Sequence, residues 1–208
     1  MSAMPRLAAT IASLLVLAAV AHAQGAELAG AALAKALRHG GYVLVIRHAA
    51  SPAAPPSAAD ADPGNPGHER QLDAGGRAAA AAMGAAIKAL HISIGQVWSS
   101  PTYRALETAR LASLPTPVAS PELGDNGQSM SAATTDQSAW LKARAADRPR
   151  QGTDNILITH QPNIAAAFGD AAKGLGDGEA LVFQPGGKGR AVLVAHIPMA
   201  DWPKLAGG

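Results

Sequence analysis

The sequence predicts an α/β protein, a three-layer α/β/α sandwich around a mostly parallel central sheet. Short apolar segments rich in Val and Ile alternate along the chain with longer Ala-rich segments that have helical periodicity. The segment 42–46 is apolar at every position, which is typical of a strand buried on both faces of a parallel sheet. The 208 residues suffice for one domain with a substantial core, and we find neither an internal repeat nor a second domain.

Composition excludes several classes of function. Lys and Arg number 17 against 15 Asp and Glu, which gives a formal charge of +2, and no lysine cluster indicates a nucleic-acid partner. The chain has no cysteine, so thiol chemistry, disulfides and Cys-based metal sites are excluded. The four histidines at 39, 68, 91 and 196 lack metal-like spacing. We therefore predict neither a metal nor another cofactor.

Residues 1–23 have the pattern of a secretory signal peptide. Arg6 provides a positive start, an apolar run extends to Val20, and Ala21-His22-Ala23 is a small-x-small cleavage site. A membrane anchor is the alternative, but the run is short for a bilayer and lacks a basic stop. We expect cleavage at this site and a mature domain over residues 24–208 that does not remain inserted in a membrane. The protein would then be periplasmic or secreted if its source is bacterial.

The first part of the domain is predicted to contain a helix, a strand and a long loop. Residues 26–38 are rich in Ala and Leu and stop at a Gly-Gly pair, which predicts a helix. The strand at 42–46 follows and ends in Arg47-His48. Residues 50–69 contain five prolines and no periodic pattern. We interpret this loop as a flap over a site at the strand end, with a disordered insert as the alternative.

Two strand and helix units follow the loop. Asp73 is the expected N-cap of a helix with an apolar stripe. Residues 94–98 form the next predicted strand. Ser100 is expected to cap the helix after it, with Pro101 and Arg104 in the first turn.

The remaining segments complete the sandwich. Residues 115–118 predict a short connecting strand and 122–130 a polar loop. Thr134 and Gln137 have the spacing of a capping box that opens a helix to about residue 146. A strand over 155–159 places His160 at its end, and a helix begins at Pro162. A closing strand pair is expected at 180–183 and 191–197, around a Gly-rich turn at 185–189.

Two arginines and two histidines are expected to meet at one edge of this sheet. His48 and His160 each follow a strand, Arg47 precedes His48, and Arg104 begins a helix after a third strand. The carboxyl ends of parallel strands share an edge, where α/β proteins bind ligands. The N-terminus of the helix after Ser100 would add free amides and a positive dipole end. Such a cationic group of side chains favours phosphate or a similar oxyanion.

At this point the chain resembles the histidine phosphatase superfamily, which has the phosphoglycerate-mutase-like fold. The resemblance covers most of residues 24–208, with its pieces in the expected order. They are Val-Ile-Arg47-His48-Ala, Leu72-Asp-Ala-Gly-Gly76, Ser99-Ser-Pro-Thr-Tyr-Arg104-Ala-Leu-Glu-Thr-Ala109 and Ile-Leu-Ile-Thr-His160. A lone Arg-His pair is a weak signal, whereas several ordered pieces at predicted strand ends are specific.

The resemblance implies a role for each matching residue. His48 would be the nucleophile, and Arg47, Arg104 and His160 would hold the phosphoryl oxygens. The implied reaction is metal-independent hydrolysis of a small phosphate monoester through a phosphohistidine. Neighbouring arginines should lower the pKa of His48 and so keep one ring nitrogen free for attack. A phosphomutase of the same family and a catalytically silent phospho-ligand-binding protein are the alternatives.

The sequence departs from the family pattern in two places. The family often has Gly after the nucleophile, where this chain has Ala49. The second departure is in the mid-chain loop, where the mutase-like branch of the family has Leu-x-Glu and this chain has Leu123-Gly124-Asp125. We favour Asp125 as the proton donor to the leaving group, with Glu122 as the substitute. The alternative is that both are ordinary loop carboxylates. Arg70 and His68 are further candidates for substrate contact, although a surface position is an equal reading for Arg70.

Overall fold

The computed structural model describes residues 27–125 and 132–207. The predicted signal peptide and most of the polar loop at 122–130 lie outside the described residues. The helices are α1 (Gly30–His39), α2 (Ala74–Ala89), α3 (Tyr103–Leu111), α4 (Thr135–Ala145), α5 (Gln161–Phe168) and α6 (Trp202–Ala206). The strands are β1 (Val43–Arg47), β2 (Ile94–Ser99), β3 (Val118–Ala119), β4 (Asp154–Thr159), β5 (Ala180–Pro185) and β6 (Ala191–Ile197).

The six strands form one sheet in the order β3-β2-β4-β1-β5-β6. The first four strands in that order are mutually parallel. β5 pairs antiparallel with β1, and β6 pairs antiparallel with β5 at the edge of the sheet. This arrangement confirms the mostly parallel sheet and the closing strand pair.

Helices cover both faces of the sheet, which confirms the three-layer sandwich. Leu44 and Ile46 of β1 belong to the core formed with α1, α2, α3 and α6, whereas Val43 and Val45 belong to the core formed with α4 and α5. All four side chains are fully buried. Burial of each stabilises the fold by about 1.5–3 kcal/mol, which explains why this strand has no polar position before Arg47.

The helix boundaries follow the predicted caps with one exception. Asp73 caps α2 by accepting a hydrogen bond from the Gly76 amide, and Thr134 and Gln137 form the capping box of α4. The exception is α3, which begins at Tyr103 rather than directly after Ser100. Among the described residues, no helix combines the length and the apolar character needed to span a bilayer.

The loop at 50–69 contains neither helix nor strand, and its own side chains organise it. Its two ends are joined where the Ser51 hydroxyl donates to the Gln71 carbonyl at 2.8 Å. The Gln71 side chain bonds the loop interior, accepting from the Asp62 amide at 2.9 Å and donating to the Asp60 carbonyl at 2.9 Å. A loop organised in this way fits the predicted flap better than the alternative of a disordered insert.

Candidate active site

The carboxyl ends of three parallel strands meet at one edge of the sheet. β2, β4 and β1 are adjacent, and Arg47 lies opposite Thr159 in the register. The pairing continues past the strand ends. The His48 amide donates to the Thr159 carbonyl at 3.0 Å, and the Ser100 amide donates to the Ile158 carbonyl at 2.8 Å. The sheet therefore brings together the predicted side chains that follow these strands.

His48 is buried and has one defined tautomer. Its Nδ1 lies 2.8 Å from the Ala49 carbonyl oxygen, which can only accept, so Nδ1 carries the proton. Nε2 accepts a hydrogen bond from Arg104 Nε at 3.2 Å. Burial is the main cause that holds the pKa of His48 well below its usual value, and His160, Arg104 and Arg47 lower the pKa further. The arginines thus act as expected, but burial is the larger effect.

The fully buried Arg104 guanidinium lies at the centre of the cluster. Its Nη2 pairs with the Asp125 carboxylate and lies 3.1 Å from His160 Nδ1. Its Nε donates to His48, as described above. Its Nη1 has no hydrogen-bond partner among the described residues. A buried donor without a partner is rare in native proteins and points to a ligand or a functional role.

His160 is also neutral and oriented by hydrogen bonds. Its Nδ1 accepts from Arg104, so Nε2 carries the proton and donates to the Ser100 hydroxyl at 2.8 Å. Ser100 in turn donates to the Thr102 hydroxyl at 3.1 Å. Burial, followed by the charge of Arg104, lowers the pKa of His160 to about 3. The rings of His48 and His160 meet edge to face, with 5.2 Å between their centroids.

Arg47 is held by a turn at 175–179 that the sequence analysis did not single out. Its Nη1 donates to the Leu175 carbonyl at 2.9 Å, and its Nη2 pairs with Asp177 Oδ1 at 2.7 Å. Its Nε is buried and has no partner in the described parts of the chain. The signal in the sequence was weak, because an acidic residue in a Gly-rich segment ordinarily indicates only a solvated turn.

The two candidate acids have different surroundings. Asp125 is only 3% exposed and pairs with Arg104 inside the cluster. Glu122 lies on a single 3₁₀ turn, where its carboxylate accepts from the Ser120 hydroxyl at 2.6 Å, and this bond lowers the pKa of Glu122. Within the described residues, the hydrogen bonds of the Glu122 carboxylate do not reach the cluster. The geometry therefore favours Asp125.

Arg70 is brought to the cluster, whereas His68 is not. Arg70 is buried, and its guanidinium donates to the Pro52 carbonyl at 2.7 Å and to the Ser51 carbonyl at 3.3 Å. Burial, followed by the charge of Arg104, lowers the pKa of Arg70, which places this group within electrostatic reach of the site. The surface reading of Arg70 is therefore wrong. His68 is exposed, and the described contacts do not connect it to the cluster.

The N-terminus of α3 differs from the predicted anion site. Thr102 occupies the cap position without a side-chain cap bond, so Ser100 does not cap the helix. The Glu69 carboxylate instead accepts a hydrogen bond from the Tyr103 amide at 2.9 Å. The expectation of a free amide is wrong for Tyr103, because a carboxylate from the long loop already accepts its hydrogen bond.

Two further motif residues maintain the frame of the cluster. The Thr108 hydroxyl accepts from the Ala49 amide at 3.1 Å and donates to the Arg104 carbonyl at 2.8 Å, which ties α3 to the end of β1. A Cβ at position 76 would lie 2.2 Å from the Ala50 carbonyl oxygen. Only glycine therefore lets α2 approach the segment that follows His48 this closely.

The positive charge of the site comes from guanidinium groups. In the described residues, no group of three or more His, Asp or Glu side chains is placed to hold a metal ion. Arg47, Arg70 and Arg104 face two carboxylates, Asp125 and Asp177, around two neutral imidazoles. This arrangement can bind an oxyanion and present one unprotonated nitrogen to it.

The fold and the cluster together define an α/β protein with an Arg and His anion site at the carboxyl edge of its sheet. The chain belongs to the histidine phosphatase superfamily (branch 1), whose family model matches residues 43–192. A comparison with curated proteins gives no match.

Solved structures confirm the fold. The chain is similar to the protein histidine phosphatase SixA complexed with tungstate, with a TM-score of 0.57 and 19% identity over 77% of this chain and 98% of that chain. It is also similar to a phosphoserine phosphatase mutant from Entamoeba histolytica in complex with phosphoserine, with a TM-score of 0.50 and 12% identity over 76% of this chain and 97% of that chain.

Proposed function

We propose that the protein is a phosphatase that hydrolyses small phosphate monoesters through a phosphohistidine on His48. One observation carries the proposal. Two arginines that adjoin His48 and its unprotonated Nε2 each have a buried donor, Arg104 Nη1 or Arg47 Nε, that finds no partner among the described residues. Phosphoryl oxygens are acceptors that match such donors, and the phosphorus atom is the electrophile for such a nitrogen.

The reaction has two steps. Asp125, once displaced from Arg104, takes up a proton from the bound phosphate monoanion. His48 Nε2 then forms a bond to phosphorus while the ester P–O bond breaks, and the leaving oxygen takes that proton from Asp125. Water then attacks the phosphohistidine, gives its proton to Asp125 and releases orthophosphate. Arg47 and Arg104 hold the phosphoryl oxygens in both steps, since stabilisation of charge and position dominates phosphoryl transfer. His160 would join them when its Nε2–H turns from the Ser100 hydroxyl to a phosphoryl oxygen. Arg70 would add a further cation beside the substrate.

Access of substrate to Arg104 requires an exchange of partners. Asp125 pairs with the guanidinium that the phosphoryl group needs. Substrate oxygens would replace the carboxylate on Arg104, and the freed Asp125 side chain would then face the leaving oxygen. This exchange would place the proton donor only when the substrate is bound.

The predicted signal peptide adds a cellular proposal. A protein exported after cleavage behind Ala23 would act on phosphate esters in the periplasm or outside the cell. Export also weakens the phosphomutase alternative, because a mutase depends on a bisphosphorylated primer that is found in the cytosol. Mass determination of the protein purified from the envelope fraction tests this, and retention of residues 1–23 in the cytosol would contradict it.

The proposed function is tested by phosphate release from 4-nitrophenyl phosphate with a chelator present. We expect turnover by the wild-type protein and a decrease of roughly 10³-fold or more for His48→Ala. His39→Ala, which changes an exposed histidine in the last turn of α1, is the control and should retain activity. Equal turnover by His48→Ala would reject the nucleophile, and phosphate binding without release would favour a binding protein.

A further inference from the structure

The side chains of the charged cluster differ in their exposure to solvent. His48, Arg104, Asp125 and His160 are each at most 3% exposed. By contrast, the side chain of Asp177 is 41% exposed, and that of its partner Arg47 is 21% exposed. If the organic part of a bound phosphoester extends toward solvent beside Arg47, it passes Asp177, the carboxylate that pairs with Arg47.

Backbone hydrogen bonds hold Asp177 at this opening. The Gly178 amide donates to the His48 carbonyl at 3.0 Å, and the Arg47 amide donates to the Glu179 carbonyl at 3.1 Å. The Glu179 carboxylate closes the turn by accepting from the Gly176 amide at 2.9 Å. The turn is therefore bonded to the end of β1, and the Asp177 carboxylate is held against Arg47.

The charge of Asp177 extends beyond its partner. Arg47 neutralises it only in part, because both side chains are in contact with solvent. Its field also reaches Arg70, whose pKa it raises against the larger lowering by burial and by Arg104. A partly exposed negative charge therefore lies beside Arg47 and interacts with Arg70, both of which are candidates for binding the substrate.

We infer that Asp177 is a specificity-determining residue that selects phosphoesters with a neutral or cationic organic group and disfavours those with a second anionic group next to the phosphoryl group. This inference rests on the proposed function, because it concerns the substrate of the same site. A carboxylate on the substrate would meet a like charge at the opening, whereas an ammonium group would meet an opposite charge. At partly exposed positions a few ångströms apart, such an interaction changes binding by about tenfold.

Three esters of similar size provide the test: 2-hydroxyethyl phosphate, phosphoethanolamine and phosphoglycolate. For each protein, kcat/KM for each charged ester is divided by the value for the neutral ester. This ratio removes any effect that is common to all three esters, such as a change in the position of Arg47 when its partner Asp177 is replaced. We expect the wild-type protein to prefer phosphoethanolamine over phosphoglycolate. Asp177→Asn should lower that preference about tenfold, and Asp177→Glu should retain it. Added salt should weaken the wild-type preference.

A second aspartate far from the cluster provides the control for this test. Asp170→Asn removes an equal charge at the far end of α5 and should leave the preference unchanged. An unchanged preference in Asp177→Asn would overturn the inference and leave Asp177 only a positioning role for Arg47. Calorimetric binding of the three esters to His48→Ala protein separates the two proposals. If the wild-type protein shows no turnover but phosphoethanolamine binds more tightly than phosphoglycolate, the phosphatase activity is rejected and the charge selectivity is retained. If all three esters bind equally, the charge selectivity is rejected.

Discussion

The two ends of the parallel strands bury ionisable groups in opposite ways. At the carboxyl end, Arg104 and Asp125 are both buried and pair with each other. At the amino end of β4, Asp154 is fully buried and forms no ion pair within the described part of the chain, and its Oδ1 accepts from the Tyr42 amide at 2.8 Å. Its Oδ2 has no partner among the described residues. Burial raises the pKa of Asp154 to about 7, against the opposing effect of the amides.

The comparison shows that partners, rather than depth, decide the charge of a buried group. A carboxylate beside a guanidinium remains ionised because the ion pair offsets its loss of water. A carboxyl group that meets only backbone amides takes up a proton near neutral pH. The first arrangement gives a charged site for an anion, and the second gives a structural group whose ionisation weakens the fold.

The largest expected effect follows from breaking the pair at the carboxyl end. Arg104→Ala should lower kcat/KM by roughly 10³-fold, because it removes the central guanidinium of the site. It should also lower the free energy of unfolding by about 3–5 kcal/mol, because the buried charge of Asp125 loses its guanidinium partner. Urea unfolding and phosphate release measure the two effects.

A double variant separates stability from catalysis at this pair. Asp125→Asn added to Arg104→Ala should recover part of the lost stability and none of the lost activity. If the single Arg104→Ala variant is as stable as the wild-type protein, the pair does not offset a buried charge and the comparison fails.

A smaller effect is expected when only the acid changes. Asp125→Asn should lower kcat about 10²-fold on alkyl phosphates, whose leaving oxygen needs a proton, and only a few-fold on 2,4-dinitrophenyl phosphate. Glu122→Gln is the matched control on the preceding turn and should change neither value. An equal loss on both kinds of ester would assign Asp125 a role in binding through Arg104 rather than in proton donation.

The smallest effect on activity, and a distinct effect on stability, is expected at the amino end. The pKa of Asp154 is about 7 in the folded state, whereas the ordinary pKa of an aspartate, expected in the unfolded chain, is 3.8. The unfolded chain binds fewer protons between these values, so stability falls as pH rises from about 4 to about 7. Asp154→Asn should remove this fall, which amounts to about 4 kcal/mol for a pKa raised from 3.8 to about 7.

Denaturant unfolding of both proteins from pH 4.5 to pH 8 measures the difference. Asp154→Asn should gain relative stability as the pH rises and level off above pH 7. Parallel profiles for the two proteins would show that Asp154 ionises freely in the folded state. Asp170→Asn, at an exposed position, should follow the wild-type profile throughout.

Local pattern was sufficient for elements whose signals lie close together in the chain. The Asp73 cap and the Thr134 capping box each depend on residues three apart, and both were predicted. The start of α3 was not predicted, because the residue that accepts from its first amide, Glu69, lies 34 residues earlier in the chain. The burial of Arg70 likewise depends on the folded loop around it.

The sequence by itself determined the sandwich and the meeting of Arg47, His48, Arg104 and His160, because apolar strands must be buried and parallel strands share one edge. The tertiary structure alone decided the tautomers of the two histidines, the pairing of Arg104 with Asp125 and the position of Asp177. Those features depend on contacts of a few ångströms between residues far apart in the chain, and side-chain pattern along a strand carries no such information.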